Sequence, residues 1–292
     1  GQSWRMARTL LAEDGVFHAT VEEFDRVFRA VAGWSVIAEL ERSEGDTRID
    51  NTAVTQPAIF AVQIGLVARW RAWGIEPGLV VGHSFGEVAA AHTAGALSLE
   101  GAGAIIYHRG RLQDETQGAG TMAALAMPAA EVRAKLAALG EENVEIAADN
   151  GPQMVTLAGE TTALHRFLAE LQAADPDLFC RFLKVDYAPH SRKMEQFRDA
   201  FVGSLRGLRP RPPVVPMIST VWAEPVGDRL LDAAYWYANV RLPVRFQEAL
   251  AAAVQHGFGA MVEMGPHATL SGIVATNLAA LGKPRLVVPS LH

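Results

Sequence analysis

Apolar and polar positions alternate along most of the chain between helical and strand-like spacing. Residues 55–73 carry apolar side chains at helical spacing and end at the breaker Gly74-Ile75-Glu76-Pro77. The short run Leu79-Val80-Val81 then predicts a strand buried on both faces of a parallel sheet. A helix rich in alanine is predicted from Phe85 to Ala94. This order of elements is typical of the α/β class.

The pattern changes between Thr121 and Val185. It predicts four strands and two helices in the order β-α-β-β-α-β, the strands at 122–127, 144–148, 154–158 and 179–185. That order is typical of a ferredoxin-like unit. We therefore predict a ferredoxin-like subdomain, residues 121–188, inserted into a larger α/β subdomain formed by residues 1–120 and 189–292.

Composition and charge exclude several classes of function. Half of the 292 residues are apolar and the formal net charge is −6, with no long cluster of Lys and Arg. We therefore expect neither nucleic acid nor a membrane surface as a partner. The single cysteine, Cys180, allows no intramolecular disulfide and no cysteine-rich metal site, and we predict that it is buried in a strand.

Targeting segments and the two ends of the chain bear on where the protein is found and on whether it is part of a longer polypeptide. We find neither a signal peptide nor an apolar run long enough to span a membrane, so we expect a cytoplasmic protein. The helical pattern begins almost at the first residue, and the chain ends directly after a short strand. We expect a domain cut from a longer polypeptide.

The strongest chemical signal is Gly82-His83-Ser84-Phe85-Gly86, between a predicted strand and a predicted helix. This pattern is typical of a nucleophile elbow, in which a serine on a strained turn exposes its hydroxyl. We expect both glycines to be required because a Cβ there would clash with the adjacent strand and helix. The backbone N–H of Phe85, at the helix N-terminus, would donate to an oxyanion. The alternative is a turn whose serine only caps the helix.

A serine nucleophile needs a base, and His190 is the leading candidate. It follows a predicted strand in the loop Tyr187-Ala188-Pro189-His190, where functional side chains are often displayed. His108 and His267 are rivals on the sequence alone. His83 is predicted to point away from Ser84, because adjacent side chains diverge.

Gly82-His83-Ser84-Phe85-Gly86-Glu87, followed about a hundred residues later by Tyr187-Ala188-Pro189-His190, resembles the malonyl-CoA:acyl-carrier-protein acyltransferase family. Within that family the chain is similar to the acyltransferase domain of a type I polyketide synthase, over nearly its whole length. The resemblance implies an α/β-hydrolase-like large subdomain with an inserted ferredoxin-like small subdomain. It implies ping-pong transfer of a malonyl-type unit from coenzyme A to the phosphopantetheine thiol of an acyl carrier protein.

The resemblance also implies partners and a role for individual residues. Besides the carrier protein, the partners would be the neighbouring ketosynthase and linker; coenzyme A enters as a thioester substrate, and neither a bound cofactor nor a metal is expected. Ser84 would be the acylated nucleophile and His190 the base of a Ser–His dyad. Arg109 would bind the free carboxylate of the extender unit, and Gln56 would line the pocket, although it could equally be only a helix-start residue. The backbone carbonyl of Asn239 would orient His190 in place of the acid of a triad.

Two further implications concern the oxyanion site and the choice of extender. The family's Gly-Gln-Gly-x-Gln loop, which supplies a second oxyanion N–H, is matched only by Gly1-Gln2, so Gln2 is the candidate donor. It matches either the first or the second glutamine of that loop. Within the family the extender depends on the residues at Phe85, Tyr187 and Pro189. Phe85 is uncommon among methylmalonyl-specific members, Pro189 is intermediate and Tyr187 leans toward methylmalonyl. Together they favour malonyl-CoA, with methylmalonyl-CoA as the alternative.

Two other functions compete with this interpretation. A serine hydrolase or thioesterase of the α/β-hydrolase type would need an acid for its histidine, and Asp186 is the candidate; Arg109 would then have no purpose. A non-catalytic docking domain with a degenerate site is the third hypothesis, and the presence of Ser84, Arg109 and His190 argues against it.

Overall fold

A computed structural model describes residues 2–291 of the chain. The α-helices are α1 Arg8–Glu13, α2 Gly15–Ala32, α3 Val36–Leu40, α4 Thr52–Ala72, α5 Gly86–Thr93, α6 Leu99–Asp114, α7 Ala129–Leu139, α8 Thr161–Ala174, α9 Arg198–Ser204, α10 Ala233–Arg241, α11 Phe246–Val254 and α12 Ser271–Ala280. The strands are β1 Val80–Val81, β2 Thr121–Leu125, β3 Val144–Gly151, β4 Met154–Gly159, β5 Cys180–Phe182, β6 Met217–Ser219, β7 Glu224–Pro225, β8 Val244–Arg245, β9 Ala260–Glu263 and β10 Leu286–Pro289. A short 3-10 helix covers Arg192–Phe197.

The largest core lies among helices α2, α4 and α6. Helix α2 shows how the sequence builds it, because its buried aromatic side chains Phe17, Phe24 and Phe28 recur at helical spacing on one face. The helix begins where the side chain of Asp14 accepts the N–H of Phe17 at 2.8 Å. It ends at Gly33, whose φ of +76° is the left-handed conformation that glycine adopts without strain.

Helices α4 and α6 approach closely at Gly110. A Cβ added to Gly110 of α6 would lie 3.1 Å from the Cα of Ala53 in α4. The small residue therefore lets the two backbones approach, and it fixes the position of its neighbour Arg109 on α6. Helix α4 carries Gln56 in its buried first turns.

The α/β fold with a ferredoxin-like unit is confirmed. Strands β2 to β5 and helices α7 and α8 follow one another as predicted, and the strands form an antiparallel sheet in the order β5-β2-β4-β3. Both helices contribute to a separate apolar core on this sheet. Strand β8 extends the sheet by pairing parallel to β3, which joins it to the remainder of the chain. The boundaries at residues 121 and 188 stay a prediction.

The remaining strands form two smaller sheets, in the orders β1-β6-β7 and β9-β10. The prediction that residues 79–81 are buried on both faces is wrong: Val80 and Val81 are only half-buried. Among residues 2–291, β6 alone pairs with β1, and the other edge of β1 faces a cavity that β9 also lines. Cys180 is likewise half-buried rather than buried, because β5 is the edge strand of the ferredoxin-like sheet.

No helix within residues 2–291 combines the length and the apolar character needed to cross a membrane.

The ferredoxin-like sheet depends on a close backbone approach at Gly159. A Cβ there would lie 2.2 Å from the carbonyl oxygen of Asn143, so Gly159→Ala must push β3 and β4 apart. We expect a loss of about 3 kcal/mol in the free energy of unfolding, measured by urea denaturation. Gly272→Ala is the matched control, since nothing lies within 4 Å of its added Cβ. Equal stability of the two variants would contradict the prediction.

Candidate active site

Ser84 occupies a strained turn between β1 and α5. Its φ is +53°, which is rare for a residue with a side chain. The turn is closed by the N–H of Gly86 donating to the carbonyl of His83 and the N–H of Glu87 donating to that of Ser84, both at 3.0 Å. These contacts project the Ser84 hydroxyl into the cavity.

Only one of the two flanking glycines is required by close contact. A Cβ on Gly82 would lie 2.2 Å from the Cα of Glu87, so no other residue fits where the strand runs under the helix. A Cβ on Gly86 would meet only the side chain of Gln63, at the ordinary distance of 3.5 Å. The prediction of a clash at Gly86 is therefore wrong, because the start of α5 faces the cavity rather than a packed neighbour.

Of the candidate histidines, the structure brings His190 to Ser84. Its Nε2 lies 2.7 Å from Ser84 Oγ, and its Nδ1 lies 2.8 Å from the backbone carbonyl oxygen of Leu242. A carbonyl can only accept, so Nδ1 carries the proton and Nε2 is free to accept the Ser84 hydroxyl proton. The ring is held by a backbone bond from the N–H of His190 to Val240 at 2.9 Å, with a φ of +59°.

The environment keeps His190 neutral. Burial lowers the pKa of His190 to about 3, with the positive charge of Arg109 adding to the effect and the Leu242 hydrogen bond opposing it. A neutral imidazole with its Nε2 lone pair directed at a hydroxyl can act as a general base.

The carbonyl that orients His190 belongs to Leu242 and not to Asn239, so that part of the prediction is wrong. Asn239 lies inside α10, whereas Leu242 is the first residue beyond it, and its extended backbone directs its carbonyl at the imidazole. The side chain of Asn239 has other partners. It donates to Glu87 Oε2 at 2.6 Å and to the Ser84 carbonyl at 3.2 Å, and it accepts from Arg109.

Arg109 is a buried cation beside the nucleophile. Its side chain is only 2% exposed, its Nη2 donates to Ser84 Oγ at 2.9 Å, and its Nη1 donates to the Oδ1 of Asn239. Its Nε is buried without a partner among residues 2–291. Burial lowers the pKa of Arg109 to about 10, so the guanidinium remains charged at neutral pH.

The other predicted site residues line the same cavity, whose volume is about 1360 Å³: Gln2, Gln56, Phe85, Tyr187 and Pro189. Gln56 is buried and donates to the Oε1 of Gln113 at 2.6 Å. The backbone N–H of Phe85 has no hydrogen-bond partner within residues 2–291, and the ring of Phe85 lies 6.0 Å from the guanidinium carbon of Arg109. Gly1, the other residue matched to the oxyanion loop, lies outside the described residues, and the role of Gln2 stays a prediction.

Neither the side chain of His83 nor that of Asp186 hydrogen-bonds to the pair Ser84 and His190. The Nε2 of His83 lies 2.8 Å from Asn150 Oδ1, so the ring points away from Ser84 as predicted. The acid required by a Ser-His-Asp hydrolase is not supplied by Asp186, because the Leu242 carbonyl occupies the Nδ1 position of His190.

Sequence reasoning missed three residues of the site: Glu87, Gln113 and Leu242. Glu87 is the only charged residue among the small apolar residues that open α5, and such an isolated charge on a buried helix is a usable signal. Gln113 stands four residues after Arg109 on α6, which places both side chains on one helix face. No sequence signal identifies Leu242, because it contributes only its backbone.

The chain matches a known protein family over its whole length. The family model described as "Acyl transferase domain" matches residues 1–292. The erythronolide synthase EryA2 of Saccharopolyspora erythraea is 37% identical over 295 residues, which cover all of this chain but only 8% of that protein. The spectinabilin polyketide synthase system protein NorA of Streptomyces orinoci is 39% identical over 294 residues, and the chain covers 15% of its length.

Solved structures are similar over the whole chain. The acyltransferase domain from module 8 of the salinomycin polyketide synthase superposes with a TM-score of 0.94 at 36% identity, covering all of this chain and 69% of that one. A loading acyltransferase from the avermectin modular polyketide synthase gives a TM-score of 0.92 at 34% identity and is 91% covered.

The low pKa of His190 predicts a contribution to stability that depends on pH. An unfolded histidine takes up a proton near pH 6.5, whereas buried His190 stays neutral until about pH 3, so acidification between these values favours unfolding. We expect His190 to remove about 1.4 kcal/mol from the free energy of unfolding between pH 7.5 and 5.5. Urea denaturation of the wild type and His190→Gln at both pH values measures this. Identical pH dependence in the two proteins would contradict it.

Proposed function

Because the chain belongs to the acyl transferase domain family, and within it to the acyltransferase domains of polyketide synthases, we propose that it transfers a malonyl-type extender unit from coenzyme A to an acyl carrier protein through an ester of Ser84. The observation that carries the proposal is the environment of Ser84 Oγ. This one oxygen contacts both a neutral imidazole and a buried guanidinium. A base for the nucleophile and a cation for the carboxylate of the extender therefore meet at one point.

The first half of the cycle forms the ester. His190 Nε2 accepts the Ser84 proton while Oγ attacks the thioester carbonyl carbon. The charge that develops on the carbonyl oxygen is stabilised by the free N–H of Phe85, with that of Gln2 as the proposed second donor. The C–S bond then breaks, and the proton on Nε2 passes to the departing thiolate of coenzyme A.

The second half transfers the unit to the carrier protein. The phosphopantetheine thiol gives its proton to His190 Nε2 and attacks the malonyl-serine carbonyl. Collapse of the tetrahedral intermediate returns the proton to Ser84 Oγ and leaves the extender on the carrier thiol. The proposed cycle uses no cofactor beyond the coenzyme A thioester that serves as substrate.

Arg109 would select extenders that carry a free carboxylate. Its buried charge has no carboxylate partner in direct contact within residues 2–291, so a malonyl-type carboxylate supplies a compensation that a neutral acyl group cannot. Pairing would have a second effect. The Arg109 charge lowers the pKa of His190, so a carboxylate that neutralises it makes His190 a stronger base.

We favour malonyl-CoA over methylmalonyl-CoA as the extender. The large side chains of Phe85 and Tyr187 line the cavity with Pro189, and the Phe85 ring lies beside Arg109. Bulk at this place leaves less room for an α-methyl group. One methyl group changes binding by only about 1–3 kcal/mol, so the discrimination would be moderate.

The proposal predicts a covalent adduct on Ser84. After brief incubation with malonyl-CoA, methylmalonyl-CoA or acetyl-CoA, intact-protein mass spectrometry should detect the malonyl adduct most rapidly. Ser84→Ala should show none. An acetyl adduct formed as readily as the malonyl one would contradict the role of Arg109, and thioester hydrolysis with no transfer to a carrier protein would favour a hydrolase.

Removal of the cation should abolish carboxylate selection. We expect Arg109→Met to reduce the ratio of malonyl to acetyl acylation rates by at least about tenfold, because a charge-assisted hydrogen bond to the substrate is lost. The adduct masses from parallel time courses with the two thioesters give this ratio. Arg111→Met is the matched control, since Arg111 is paired with Glu115 at the surface of the same helix. A ratio that survives in Arg109→Met would refute the assignment.

A further inference from the structure

Glu87 is a buried carboxylate that the proposed cycle does not use. It lies in the first turn of α5, three residues after Ser84, and has no exposed surface. Its Oε1 accepts the backbone N–H of Thr220 at 2.6 Å, and its Oε2 accepts the Nδ2 of Asn239 at 2.6 Å. The hydroxyl of Tyr235 also interacts with it. Burial raises the pKa of Glu87 to about 7, and the hydrogen bonds from its donors oppose that rise, so the carboxylate form predominates above about pH 7.

A directed series of hydrogen bonds connects Glu87 to the nucleophile. Asn239 Nδ2 donates to Glu87, Arg109 Nη1 donates to Asn239 Oδ1, and Arg109 Nη2 donates to Ser84 Oγ. A side-chain amide has one donor end and one acceptor end. In its ionised form the Glu87 carboxylate accepts only, so it forces the donor end of Asn239 toward itself and the acceptor end toward Arg109.

Helix capping does not account for this arrangement. An acidic residue in the first turn of a helix interacts favourably with the helix dipole, but an exposed side chain would provide that effect. Full burial of Glu87 is costly and requires its donors. Buried Glu87 determines the position of the Asn239 amide. That amide contacts both Arg109 and the Ser84 backbone.

We propose that Glu87 is a positioning residue for carboxylate recognition, acting through the amide of Asn239 to hold Nη1 of Arg109. The guanidinium then keeps its Nε and Nη2 edge for the incoming carboxylate; Nε has no partner among the described residues. The inference rests on the role proposed above for Arg109. Glu87 also favours the charged form of Arg109 by its own negative charge.

Glu87→Gln tests the direction of these bonds while keeping the size of the side chain. If the oxygen of the new amide still accepts from Thr220, its nitrogen faces Asn239, and two donors oppose each other. Asn239 must rotate its amide, which turns its nitrogen toward Arg109 and removes the acceptor for Nη1. The substitution therefore reaches Arg109 without adding or deleting a heavy atom.

The experiment compares initial acylation rates at Ser84 with malonyl-CoA and with acetyl-CoA, by intact mass at about pH 8, above the pKa of Glu87. It uses four proteins: the wild type, Glu87→Gln, Tyr235→Phe and Arg109→Met. We expect Glu87→Gln to lower the malonyl-to-acetyl ratio by about tenfold through the malonyl rate, with the acetyl rate retained. Tyr235→Phe removes a different contact of Glu87, leaves Asn239 in place, and should keep the ratio.

Failure of the positioning role of Glu87 and failure of the role of Arg109 give different results. If Glu87→Gln lowers both rates in proportion, or neither, Glu87 has a purely structural role and the inference is overturned. If Arg109→Met keeps the wild-type ratio, the proposed function of Arg109 fails instead.

A second variant covers the case in which Glu87→Gln does not fold. In the double variant Glu87→Gln/Asn239→Asp, the new amide on α5 donates to the new carboxylate on α10, and that carboxylate also accepts from Arg109. Every donor in the series from residue 87 to Arg109 then faces an acceptor, while the Ser84 carbonyl loses the donor that Asn239 provides in the wild type. We expect this protein to fold and to show a ratio above that of Arg109→Met. An unfolded double variant, or one with the Arg109→Met ratio, would overturn the inference.

Discussion

The site is organised around one positive charge held almost out of water. Arg109 is 2% exposed, and burial lowers its pKa to about 10 without removing its charge. A cation in such surroundings must be compensated by oriented polar groups. Asn239 and Ser84 Oγ provide two acceptors, and Glu87 in its ionised form provides a negative charge one residue further away. The same charge contributes to the low pKa of His190, which keeps the imidazole neutral and able to accept a proton. The proposed selectivity for a carboxylate and the pKa of His190 therefore involve the same guanidinium.

The second constraint is conformational. Ser84 and His190 both have positive φ, at +53° and +59°, although neither is glycine. Such conformations cost of order 1–3 kcal/mol each and persist only where the surrounding structure imposes them. At Ser84 they are imposed by the close approach of Gly82 to α5, and at His190 by the bonds from its backbone N–H to Val240 and from its ring to Leu242. The strain thus lies at the two residues between which the proposed cycle moves a proton.

The residues of the proposed carboxylate site come from distant parts of the chain. Ser84 follows β1, Arg109 lies on α6, His190 follows the ferredoxin-like unit and Asn239 lies on α10. Gly110 sets the separation of α6 from α4, and α10 ends where its neighbour Leu242 can orient the imidazole. Each residue is held by a different element, so the geometry of the site reports on the packing of the whole large subdomain.

The sequence by itself determined the α/β class, the ferredoxin-like order of elements and Ser84 as the candidate nucleophile, because periodicity and short motifs are local properties. His190 and Arg109 became candidates with defined roles through the family resemblance. The predictions from sequence failed where the outcome depended on which residues pack against a given position. Three features follow from residues far away in the chain. They are the partial burial of β1, the room for a Cβ at Gly86, and the orientation of His190 by the Leu242 carbonyl instead of that of Asn239. Only the tertiary structure decided which histidine meets Ser84, how Asn239 directs its amide, and that Glu87 is buried within the same network. Those features are set by long-range packing and by the direction of hydrogen bonds, neither of which is encoded in the spacing of residues.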